Sequence, residues 1–94
     1  MDDDTRNYLK RLQDTTTEIC KGAFDKRNEE FKYEAINWAD LWCYHAEKHI
    51  AADGEEGYRV YIEEASPGCD KFRIYIANEL AKLGFANVGV VTEW

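Results

Sequence analysis

The sequence predicts an α+β fold: two N-terminal helices followed by strand–helix–strand, with the helices packed on one face of a small sheet. Three observations carry this. Tyr58, Val60 and Ile62 alternate with Arg59, Tyr61 and Glu63, the period of a half-buried strand. Phe72, Ile76, Leu80 and Leu83 then recur at helical steps between Ser66-Pro67 and Gly84. Val88, Val90, Thr92 and Trp94 alternate again to the last residue.

The first helix is expected over about Thr5–Lys21, with Asp4 or Thr5 as N-cap and aspartates suited to the helix dipole. Tyr8, Leu9, Leu12, Thr16, Ile19 and Ala23 give it one apolar stripe. The β-branched run Thr15-Thr16-Thr17 allows a short strand through Cys20 instead, but the stripe continues on both sides of it. Gly22 reads as a break.

A longer helix is expected from about Asp25 to Ala52. Phe24, Phe31, Ala35, Trp38, Trp42, Ala46 and His49 form its stripe, and Lys32, Glu34, Asn37, Asp40, Glu47 and Lys48 its wet face. Trp38 and Trp42 are expected in the core. Asp53-Gly54-Glu55-Glu56-Gly57 turns the chain into the first strand. In the last helix Ser66 can cap, Pro67 suits the first helical position, and Gly84 fits a left-handed stop. Short loops around it favour a crossover to a parallel strand. Alternating strands point to a sheet covered on one side only, with the helices packed on Tyr58, Val60, Ile62, Val88 and Val90, and with Arg59, Tyr61, Glu63, Val91 and Glu93 on the other side. Two strands alone are too few for a stable sheet.

Ninety-four residues with 45% apolar content make one domain, residues 1–94, with enough apolar surface for a core. The net charge is −7, with the acidic excess spread over both halves of the chain. No basic stripe is present, so direct nucleic-acid binding is not expected, nor is binding to anionic membranes. Cys20, Cys43 and Cys69 have no paired spacing and read as free thiols in a reducing cytoplasm, Cys43 and Cys69 as small core residues.

Few residues suggest chemistry. His45 and His49 would share a helical face, but the residues between them are Ala46, Glu47 and Lys48, no second ligand cluster exists, and no metal or cofactor is expected. Asp53, Glu55 and Glu56 lack the ligand register of a calcium loop. Asp40 lies between Trp38 and Trp42 and reads as a polar-face residue. Cys43 and His45 lie two apart on the expected helix and point in different directions, so they do not read as a nucleophile and its base. No phosphate loop, dinucleotide fingerprint or nucleophile elbow is present, and no catalytic residue is assigned.

The functional expectation is therefore a cytoplasmic module that binds a larger protein stoichiometrically. One form is an inhibitor of a host defence enzyme, of the kind phages and mobile elements use. The expected contact residues are Asp53, Glu55, Glu56, Arg59, Tyr61, Glu63, Glu64, Tyr75 and Trp94, an acidic and aromatic set suited to a basic surface. A free strand edge offers a second route, including a homodimer through that edge. The alternative is a small-molecule or nucleotide binder assembled at a homo-oligomer interface, where aromatics stack a ring.

Overall fold

A computed structural model describes residues 2–94. It is α+β, with elements in the order α1 (Asp3–Ala23), β1 (Trp42–Ile50), β2 (Glu56–Glu63), α2 (Asp70–Lys82) and β3 (Val88–Glu93). The strands form one three-stranded sheet in the order β1-β2-β3. β1 and β2 make an antiparallel hairpin, and β3 returns parallel to β2 through the α2 crossover.

The expected second helix is not there. A 3₁₀ turn at Phe24–Lys26 ends α1, an irregular stretch follows, and Trp42–Ile50 is a strand. This strand is the sheet neighbour that the C-terminal unit lacked. Two features disguise it. Trp38, Trp42, Ala46 and His49 fall at helical steps, although Trp38 lies in the turn before the strand and Ala46 faces the side of β1 opposite to Trp42 and His49. A β-bulge between Cys43 and His45 also puts Trp42, Tyr44 and His45 on one face, interrupting the alternation that marks a strand. The expected wet face of that helix is dispersed accordingly, with Glu47 on β1 and Asn37 and Asp40 in turns.

α1 begins two residues earlier than expected. Asp2 is its N-cap, and its carboxylate accepts from the Thr5 amide at 2.7 Å. Gly22 does not break the helix but lies inside its last turn. The threonine run is helical: Thr16 is fully buried and returns its hydroxyl to the Leu12 carbonyl at 2.7 Å, which satisfies the one polar atom it takes into the core.

α2 starts at Asp70, three residues after Pro67, and its N-cap is Cys69, not Ser66. The Ser66 hydroxyl instead accepts from the Gly68 amide and shapes the turn before the helix. The helix ends as the sequence predicts, on Gly84 at φ +93°. Gly84 N–H bonds to Ala81 O and Phe85 N–H to Leu80 O, the two bonds of a Schellman stop, with Leu80 and Phe85 both buried.

Both helices cover one face of the sheet. Cys43, Ala46, Tyr58, Val60, Ile62, Val88, Val90 and Thr92 point towards them, and the core is completed by Leu9, Leu12, Cys20, Phe72, Ile76 and Leu80. The chain between α1 and β1 seals one flank with aromatic rings. Phe31 meets Tyr75 at 5.2 Å and Phe72 at 5.9 Å, and Trp38 meets Phe72 at 6.0 Å, all edge to face. The three cysteines are free and buried.

Candidate protein-docking face

Nothing covers the other side of the sheet among the described residues. The pairing register places Trp42, His45, Glu47 and His49 of β1 on it, with Gly57, Arg59, Tyr61 and Glu63 of β2 and Gly89, Val91 and Glu93 of β3. The bulge adds Tyr44, whose ring lies 6.4 Å from Trp42 and 6.1 Å from Tyr61. His45 lies 5.5 Å from Tyr61. The result is a row of rings crossing from β1 to β2.

Each principal ring is tied to a carboxylate. Trp42 Nε1–H donates to Glu63 Oε2 at 3.0 Å, Tyr44 O–H to Glu93 Oε2 at 2.5 Å, and Tyr61 O–H to Glu47 Oε1 at 2.5 Å. These bonds link strands, since the partners lie on β1–β2 and β1–β3 pairs. They hold side chains that would otherwise swing freely in water. The Glu93 carboxylate pushes the Tyr44 phenol up to about 12, because a phenolate would lose its hydrogen bond to that carboxylate and would also be repelled by it. The Tyr61 hydroxyl, helped by His45, holds Glu47 below the usual glutamate range.

Charge is unevenly compensated here. Glu47 is the cross-strand partner of Arg59, which supplies a positive charge. Glu63 and Glu93 are direct partners on neighbouring strands, and among the described residues neither makes an ion pair. Like charges side by side on a sheet are unfavourable, and each carboxylate keeps one oxygen free of its aromatic donor.

The expected contact residues divide between several places. Arg59, Tyr61 and Glu63 lie on the open face, as their alternation implies. Asp53, Glu55 and Glu56 belong to the β1–β2 hairpin end, where Asp53 Oδ1 accepts from the Glu55 amide and Gly54 takes φ +88°. Glu64 follows β2 in the left-handed region at φ +66°, and its carbonyl accepts from Asn37 N–H. Trp94 follows β3 and is 66% exposed. Tyr75 is elsewhere: it packs on Phe31 at the helical side, and Arg73 lies on the same helix against Thr92. Neither joins Tyr61.

Trp42, Tyr44, His45 and Glu47 were not anticipated on this face, and Trp42, expected in the core, is 46% exposed. The signal was present in the β-prone run Leu41-Trp42-Cys43-Tyr44-His45 and in the Asp53-Gly54 turn, which together read as the first half of a hairpin. His45 and His49 share the open face because they lie on a strand, not because of helical spacing. Among the described residues no group of three or more His, Cys, Asp or Glu side chains is placed to hold a metal ion. Cys43 points into the core and His45 away from it. Burial pushes Cys43 up to about 11 and Cys20 to about 12. Asp40 is exposed and accepts from Asn37 Nδ2 at 2.9 Å. No described helix is long and apolar enough to cross a membrane. No family model, curated protein or solved structure matches the chain.

Proposed function

We propose that the chain is a protein-binding module acting by stoichiometric association, and that the outer face of its sheet is the binding surface. The observation that supports this is the row Trp42–Tyr44–Tyr61, with Trp42 exposed and both tyrosines half-buried, fixed on the open face by bonds to Glu63, Glu93 and Glu47. Rings held in place lose little entropy on contact and bury much area, which is why Trp and Tyr dominate binding hot spots. The neighbouring carboxylates select the partner's charge: a basic surface relieves the Glu63–Glu93 repulsion, whereas phosphate groups are repelled. An inhibitor directed by a phage or mobile element at the basic nucleic-acid groove of a host defence enzyme is one form such a module takes. A second copy of the chain is the other partner the fold offers, through a sheet edge.

The test is quantitative capture from an extract of the native cell, comparing the wild type with a Trp42→Ala/Tyr61→Ala double variant. The expected result is one larger basic protein recovered at equal stoichiometry by the wild type, released as salt rises and lost with the double variant. Equal recovery by both would contradict the reading.

A further inference from the structure

We infer that the open edge of β3 pairs with β3 of a second copy, antiparallel about a two-fold axis at Val90, to give a six-stranded sheet. This stands on the backbone of β3 and not on the outer-face side chains. The Tyr58 amide bonds to Asn87 O and the Ala65 amide to Glu93 O, so the odd-numbered residues of β3 turn their peptide groups towards β2. The even ones, Val88, Val90 and Thr92, therefore turn N–H and C=O outward, and among the described residues these groups have no hydrogen-bond partner.

The two edges of the sheet are treated differently. On β1 the outward groups of Cys43 are occupied by α1: its amide donates to Thr17 Oγ1 at 3.2 Å, and its carbonyl accepts from Thr17 and Gln13. The bulge beside it and Lys48 further along add two more of the devices that discourage edge pairing. β3 has none of these, with no bulge, proline or lysine between Val88 and Glu93.

Its sequence is complementary to itself. An axis at Val90 sets Val90 opposite Val90 and Val88 opposite Thr92 of the second copy, all on the core side, each pair exchanging both backbone bonds. On the outer side Val91 meets Gly89, and Glu93 falls beside Asn87 of the second copy, away from its own counterpart. An axis at Val91 would instead set Val88 against Trp94, beyond the strand. The flank of α2 above this edge is fixed by Arg73, whose Nη1 donates to Thr92 Oγ1 at 3.1 Å, and continues at four-residue steps with Ala77 and Ala81. Small residues there let two antiparallel α2 helices approach across the axis. A perpendicular two-fold keeps both outer faces on one side of the joined sheet.

The test is sedimentation velocity over a concentration series together with residue-resolved amide exchange on the wild-type protein. The expected result is a two-chain species in which Val88, Val90 and Thr92 amides exchange at least about tenfold more slowly than at dilutions where the monomer dominates. A protein that stays monomeric at high concentration, or a dimer in which those three amides remain fast, would overturn the inference. Val90→Pro gives a second reading. Of the backbone bonding groups it removes only an outward N–H, so a folded variant that is monomeric by sedimentation supports the pairing, and a folded variant that still dimerises refutes it. Trp42→Ala/Tyr61→Ala should dimerise normally, which separates this interface from the docking face.

Discussion

The two faces of the sheet are built from alternate residues of the same strands, yet they solve opposite problems. Val60 and Ile62 are fully buried under α1 and α2, while Tyr61 between them stands on the open side, bonded to Glu47. The inner face is apolar and its few polar atoms are satisfied within it, as Thr16 and Thr92 show. The outer face is aromatic and acidic, and its bonds orient side chains without closing them off from water. Stability is therefore concentrated on one face and recognition on the other, and a substitution should affect mainly one of the two.

The largest separation is expected between neighbours. Ile62→Ala should lower unfolding free energy in urea by about 2–5 kcal/mol, through lost burial and the cavity left behind. Tyr61→Ala should lower it by about 1 kcal/mol, as for a cross-strand pair on a half-buried face, while abolishing partner capture. Comparable losses at the two positions would break the division.

Next in size is the junction that closes β1 onto the helices. Thr17→Val removes the hydroxyl that both accepts from and donates to the Cys43 backbone, and should cost about 1–2 kcal/mol in the same denaturation experiment. No change would mean that α1 does not hold the β1 edge.

A smaller effect concerns titration on the outer face. Tyr44, pushed up to about 12, should ionise well above the ordinary tyrosine range in an ultraviolet pH titration, and Glu93→Gln should bring it down. Since the folded value is raised, the bond's contribution to stability is complete below the unfolded value near 10 and fades as pH rises towards 12. In the core beneath the inner face, Cys20 of α1 and Cys43 of β1 should be almost wholly protonated at pH 8. They should react slowly with a disulfide reagent until the protein is unfolded.

How far the sequence exposed this division depended on whether each strand kept its alternation. β2 and β3 do so without interruption, and for that reason Arg59, Tyr61, Glu63, Val91 and Glu93 are readable as one face from the residues alone. α2 is readable from its stripe and Gly84, although Ser66 and Pro67 shape a turn ahead of it and not its first residues. β1 is not readable in the same way, because the bulge at Cys43/His45 shifts its parity and Trp38, Trp42, Ala46 and His49 imitate a helix. That one strand carries two of the three rings of the aromatic row, Trp42 and Tyr44. The hydrogen bonds from Trp42 to Glu63 and from Tyr44 to Glu93 span 21 and 49 residues, and local pattern holds no information on such pairings.

The most direct test of the account is a backbone-amide NMR footprint of the captured partner on the folded protein. Shift changes and broadening should concentrate at Trp42, Tyr44, His45, Glu47, Arg59, Tyr61, Glu63, Val91 and Glu93, and leave the outward surfaces of α1 and α2 unchanged. A footprint centred on the helices, with the Trp42–Tyr44–Tyr61 row unperturbed, would contradict it.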